Sequence, residues 1–174
     1  MNGKPIYYWD TCVFIDWLMS SNSSRTPEEM NGISGIAQLI DKNKAILVAS
    51  SIIRIEILAC TLSDEAQEKL TQWFKRKNFQ EIAVDKRIAS LAHDIRNFYQ
   101  QDKQNAINIK TPDAIHLATA IHYQVNQFHT FDGQRKRGLL RLSGNVAGHN
   151  LMICNPQVPN LTPKKLPPVD ETSG

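Results

Sequence analysis

Short strand-forming runs alternate along this chain with stretches of helical apolar spacing, and few folds accommodate that alternation. Ile6-Tyr7-Tyr8-Trp9 opens the series and is followed at once by the polar pair Asp10-Thr11. From Cys12 to Met19, the residues Val13, Phe14, Trp17 and Leu18 share one face of a helix. Thr26-Pro27-Glu28-Glu29 predicts a second helix start, with Thr26 as N-cap, Pro27 in the first position and Glu29 closing a capping box. That helix should run to about Asp41, with Met30, Ile33, Ile36, Ala37 and Ile40 inward. The uninterrupted apolar run over 45–49 predicts a strand covered on both faces. Ser50-Ser51 is expected to cap a third helix reaching Thr61. Ser63-Asp64-Glu65 opens a fourth, ending in Lys75-Arg76-Lys77 as the helix dipole prefers. Further on, strands are expected over 81–84, 127–130 and 151–154. Helices are expected from Asp85 to about Asp102 and from Thr111-Pro112-Asp113 to about Tyr123. The order implies right-handed βαβ crossovers: an α/β fold of three layers, α/β/α, around a central parallel sheet of about five strands.

With 174 residues, 41% of them hydrophobic and 21% charged, the chain can bury one real core. Residues 1–156 are expected to form that domain and 157–174 a mobile, extended tail, since five of the eight prolines lie from Pro156 onward. No apolar run approaches the roughly 18 residues of a membrane span. The opening Met1-Asn2-Gly3-Lys4-Pro5 has no signal-peptide core. Cys12, Cys60 and Cys154 are far apart, odd in number and without a CxxC pair. That argues against a disulfide framework or zinc knuckle and fits a reducing cytoplasm. A net charge of +3 permits nucleic-acid binding without demanding it.

The chemistry is suggested by carboxylates at strand ends, where open parallel sheets bind their ligands. Asp10 ends the first strand, and Asp132 follows the fourth. Asp113 begins the helix leading into the fourth strand, and Glu56 lies one turn into the helix after the second. Each has an ordinary alternative. Asp10 suits an N-cap, Asp113 the positive end of its own helix, Asp132 a turn before Gly133, and Glu56 a salt bridge to a lysine or arginine. Glu56 is the oddest, because residues 52–60 are apolar nearly all round and should bury it largely. If the four converge within about 4–6 Å, each pair costs roughly 3–4 kcal/mol at an effective dielectric of about 20. Such a group holds a proton or a cation. Hard oxygens without clustered His or Cys select Mg²⁺ or Mn²⁺, ions that activate water for phosphoryl displacement. Gly133 and Gly138 have P-loop spacing, but Leu139 and Leu140 stand where that motif needs Lys and Ser or Thr.

Four segments carry a resemblance. Residues 8–16, Tyr8-Trp9-Asp10-Thr11-Cys12-Val13-Phe14-Ile15-Asp16, resemble the opening strand and helix of PIN-domain ribonucleases. Residues 50–58 are similar to their second motif, Thr111-Pro112-Asp113-Ala114-Ile115-His116-Leu117-Ala118-Thr119-Ala120 to their third, and Thr130-Phe131-Asp132 to their fourth. The likeness runs in order from about Ile6 to Pro156. It implies a metal-dependent endoribonuclease, closest to the VapC-type toxins of toxin–antitoxin pairs. These homodimerise and are held inactive by a VapB-type antitoxin. Residue by residue, Asp10, Glu56, Asp113 and Asp132 match the acidic Mg²⁺- or Mn²⁺-binding positions. Thr11 matches a hydroxyl near the metal, and Thr130 a small polar residue supporting the last aspartate.

The chain departs from the pattern after Asp132, where Gly133-Gln134-Arg135-Lys136-Arg137 replaces the usual polar residues and aromatic. Arg135, Lys136, Arg137 and Arg141 form the densest basic stretch, readable as a solvated loop or as contacts to RNA phosphates. Asp16, nearly two turns beyond Asp10, is expected to solvate its helix. His116, at i+3 from Asp113, could reach substrate phosphate or brace the carboxylates but is expected to pack. Two other functions stay open: a non-catalytic binding module on the same fold, and a housekeeping RNA-processing nuclease.

Overall fold

A computed structural model describes residues 3–20, 23–58, 60–101, 107–133 and 138–158. Among them, five strands form one all-parallel sheet. Along the chain come β1 (Ile6–Trp9), α1 (Thr11–Leu18), α2 (Pro27–Asp41), β2 (Ile46–Ser50), α3 (Ile53–Leu58) and α4 (Asp64–Phe74). Then follow β3 (Phe79–Ile82), α5 (Lys86–Gln101), α6 (Thr111–His122), β4 (Gln127–His129), a 3₁₀ turn (Leu139–Leu142) and β5 (Ile153–Cys154). The sheet order is β3-β2-β1-β4-β5. The chain therefore winds outward from β1 on one side, then returns to build β4 and β5 on the other. The reversal lies between β1 and β4, where Tyr7, Tyr8 and Trp9 pair with Gln127, Phe128 and His129. A ligand crevice is expected there.

Period-2 alternation in β1 divides the core. Tyr7 and Trp9 join Leu47, Ala49 and Phe79 on the face covered by α1, α2 and α4. Trp9 stacks on Trp73 with ring centres 5.8 Å apart, and Trp17 lies 4.4 Å from Trp73. Tyr8 points to the opposite face, with Val48, Phe128 and Ile153 under Ile88, Ile95 and Leu117 of α5 and α6. Both faces are covered, as the continuous apolar run of β2 requires. Among the described residues, no helix is long and apolar enough to cross a membrane.

Several element ends follow the side-chain chemistry. Thr26 accepts the Glu29 amide, and the Glu29 carboxylate accepts the Thr26 amide, completing the capping box of α2. Ser63 caps α4, and Asp85 accepts the amides of Arg87 and Ile88 at the start of α5. Helix α2 also carries two glycines whose missing side chains matter. A Cβ on Gly32 would lie 2.1 Å from the Pro156 carbonyl oxygen, and one on Gly35 2.1 Å from Val158 Cγ2. The segment ending at Val158 thus rests against α2. The remainder of the expected tail, 159–174, lies outside the described residues.

Other boundaries differ from expectation. Strand β3 begins two residues earlier, because its register is set by Leu47 opposite Phe79, and Phe79 enters the core. Ser50 belongs to β2 rather than capping α3, and α3 spans only Ile53–Leu58. Helix α4 ends at Phe74, before its basic residues. The Lys75 and Arg76 amides turn back to the Gln72 and Trp73 carbonyls, and Arg76 pairs with Asp41. Strand β5 is reduced to Ile153–Cys154.

Candidate active site

The first acid is built by the junction of β1 and α1. The Asp10 amide donates to the His129 carbonyl (3.0 Å), so the residue leaves β1 still tied to β4. Its Oδ1 accepts the Thr11 amide at 2.7 Å, capping α1, while Oδ2 accepts the Thr130 hydroxyl at 2.8 Å. The Cys12 thiol donates to the same Oδ2 at 3.4 Å. Burial and the Asp10 charge push that thiol upward, so it stays protonated. Asp10 keeps 8% of its surface exposed.

Two threonines connect Asp10 to its acidic neighbours. Thr130 Oγ1 donates to Asp10 and accepts the Asp132 amide at 2.9 Å, so one hydroxyl serves both aspartates. Thr11 gives its amide to Asp10 and its hydroxyl to Glu56 Oε2 at 2.5 Å. Asp132 is exposed, and its carboxylate accepts the Leu139 amide of the 3₁₀ turn at 3.4 Å.

Glu56 is not sequestered in a helix apolar all round. With α3 so short, Arg54 and Ile55 face outward, Ile55 being 72% exposed. Arg54 instead pairs with Glu81. The Glu56 side chain remains 28% exposed and finds a different partner from the lysine or arginine considered above. His116 Nε2 stands 2.7 Å from Glu56 Oε2, 3.2 Å from Thr11 Oγ1 and 3.8 Å from Asp10 Oδ1. Half-burial raises the Glu56 carboxyl, but the hydrogen bonds from His116 and Thr11 outweigh it, and the net direction is down.

His116 itself is 1% exposed and takes no merely apolar place. Its Nδ1 lies 2.6 Å from the hydroxyl of Tyr8, which accepts the Ser50 amide at 3.0 Å. Tyr8 is the site residue that sequence reasoning passed over, and His116, weighed on its i+3 spacing from Asp113 and assigned to packing, instead faces the carboxylates.

Asp113 sits one turn into α6, accepting the Lys110 amide at 3.3 Å. Its carboxyl is raised, first by burial and then by the negative charges of Asp10 and Asp132. Three aspartates from three segments thus lie near enough at the reversal point of the sheet for the charges of Asp10 and Asp132 to act on Asp113. They do not form one tight knot with Glu56. Among the described residues, no three His, Cys, Asp or Glu side chains stand close enough to hold an ion by themselves. The donor chemistry nonetheless fits a hard divalent cation. All four acids offer oxygen, and beyond burial the rise at Asp113 contains the negative charge of Asp10 and Asp132, which a cation would neutralise. A small cation that keeps several of its waters tolerates such spacing.

Asp16 stands apart from this set. It pairs with Arg25 at 2.7 Å and accepts the Ser23 hydroxyl, while the Arg25 guanidinium lies over Phe131. Arg141 belongs to the 3₁₀ turn and lines a cleft with Phe98, Tyr99 and Ile107. Arg135, Lys136 and Arg137 lie outside the described residues.

The sequence profile of the PIN domain family matches residues 7–137. Among solved structures, the fold is similar to VapBC2 from Rickettsia felis bound to a DNA fragment from their promoter. The TM-score is 0.61 at 16% identity, over 86% of this chain and 98% of that one. It is also similar to FitAcB from Neisseria gonorrhoeae, with a TM-score of 0.56 at 18% identity, over 86% of this chain and 97% of the other. At such identities the likeness is one of fold. No curated protein matches the sequence.

Proposed function

This chain belongs to the PIN domain family, and on that premise we propose that it is a divalent-metal-dependent endoribonuclease serving as the toxin of a VapBC-type pair. The observation that supports the reading is that Asp10, Asp113 and Asp132 lie at the sheet's reversal point near enough for their charges to act on one another, Asp113 being raised first by burial and then by the other two. Asp10, Glu56, Asp113 and Asp132 are the residues that would hold Mg²⁺ or Mn²⁺. When bound, such an ion activates water and neutralises charge building on the phosphoryl group.

The chain's own residues do the rest. Thr130 and the Thr11 amide fix both oxygens of Asp10, so that carboxylate needs no reorganisation when substrate arrives. Thr130 also holds the backbone of Asp132, setting the distance between two acids through one hydroxyl. Arg135, Lys136, Arg137 and Arg141 are proposed to contact RNA phosphates, which would make binding weaken with salt. The proposal includes an antitoxin partner, which the likeness to the VapBC2 fold supports, together with a homodimer and action in the cytoplasm.

One observation favours a rival. Glu56 is already satisfied by His116 and Thr11 without any ion, as suits a binding module that cuts nothing. Incubation with a mixed RNA pool decides between them. The nuclease reading expects cleavage with Mg²⁺ that stops with chelator, returns with Mn²⁺ and is lost in folded Asp10→Asn. Cleavage that survives chelation, or an Asp10→Asn variant cutting at the original rate, would overturn it.

A further inference from the structure

We infer that His116, pinned by Tyr8, is a positioning residue that holds the Glu56 carboxylate at the acid edge. The use of that carboxylate for a cation rests on the nuclease reading above. The argument begins with the donors available. Glu56 Oε2 already accepts the Thr11 hydroxyl, and a carboxylate oxygen placed as an acceptor there requires that the histidine nitrogen 2.7 Å from it carry the proton. A neutral ring then has a bare Nδ1 and needs a donor there. Tyr8 is that donor: its phenol is buried and pushed far up, so it keeps its proton, and its oxygen already accepts the Ser50 amide. A charged ring would donate Nδ1–H to the same oxygen, and Nε2–H would still face Glu56. Both permitted states give one geometry, and only the Nδ1–H form with bare Nε2 is excluded.

Glu56 needs such a brace more than its neighbours do. Asp10 caps a helix and accepts a threonine, and Asp113 is held by its own helix start. Glu56 stands on a helix of six residues with outward-facing neighbours. Its backbone gives little orientation, and a long side chain loses rotamer freedom only where something grips it. The grip comes from α1 through Thr11 and from α6 through His116, which β1 pins through Tyr8. The β2 amide of Ser50 fixes the phenol in turn. Orientation of an acid by a buried neighbour of this kind typically changes metal affinity 10–100-fold.

Two measurements on the full chain test this. Long-range ¹H–¹⁵N correlation spectra report which ring nitrogen of His116 is protonated, without metal. Mn²⁺ titration, read by the loss of the free-ion paramagnetic signal, compares wild type with His116→Leu and His116→Gln, whose amide N–H can replace Nε2–H. A protonated Nε2, Mn²⁺ affinity weakened about tenfold or more in His116→Leu, and recovery in His116→Gln support the proposal. A bare Nε2 overturns it. So does unchanged affinity in folded His116→Leu, and so does equal weakening in both variants, which would mark a packing role. Wild-type protein that binds no Mn²⁺ overturns the nuclease reading instead, and the nitrogen spectrum then decides the grip on Glu56 by itself.

Discussion

His129 makes the fold sensitive to acid in a way that can be calculated. Its ring is fully buried, stacked on Tyr7 at 5.1 Å, with Nε2 against the Gln127 side-chain oxygen at 3.0 Å. Among the described residues, Nδ1 has no partner. Burial pulls the imidazole down from 6.5 to about 3. The unfolded chain therefore binds a proton at this residue below about pH 6.5, and the folded chain does not until about pH 3. Stability rises with pH wherever the unfolded state holds more protons, so it is lost as pH falls through that window. The slope approaches about 1.4 kcal/mol per pH unit. From pH 7.5 to 5 the loss from this one residue is about 2 kcal/mol, insensitive to where below pH 4 the folded value lies. Urea unfolding of wild type and His129→Leu at pH 7.5, 6 and 5 isolates the effect, because all other titrating groups cancel in the difference. The wild type should lose about 2 kcal/mol more than the variant across that range. Parallel curves would refute the buried neutral histidine.

Two further outcomes are expected. Asp113→Asn removes a carboxylate that burial, and after it the charges of Asp10 and Asp132, push upward. In metal-free buffer near neutral pH, scanning calorimetry should find the melting temperature raised by roughly 2–4 °C, the shift about 1 kcal/mol makes in a domain of this size. An unchanged or lower value would mean that the three acids do not repel. Gly32→Ala should destabilise, although alanine favours a helix by about 1 kcal/mol, because its Cβ would strike the Pro156 carbonyl. A gain in denaturant midpoint would show that the 156–158 segment does not rest on α2.

Much of this architecture was legible because periodicity and caps are local. The capping box at Thr26 and Glu29, the Ser63 and Asp85 caps, and the alternation of Tyr7, Tyr8 and Trp9 all depend on near neighbours. Where the reading slipped, a distant partner decided. The start of β3 depends on Leu47 pairing with Phe79, which no window around residue 80 contains. Residues 52–57 look like core by composition, but a helix of six residues buries only one side, and Ile55 is left outside. Asp10, Asp113 and Asp132 could be suspected as a set because each lies at a strand end or helix start. The Glu56 grip was legible only as an alternative for His116, since Tyr8 reads as a strand aromatic and nothing local favours bracing over packing until β1, α3 and α6 are brought together.

The acid edge is tested most directly by Mn²⁺ titration of the wild-type chain and Asp113→Asn, followed by the paramagnetic signal of the free ion. Saturable binding in the wild type that disappears in the folded variant is the result expected. Binding that is absent, or equally strong without the Asp113 carboxylate, would contradict the reading of these acids as a cation site.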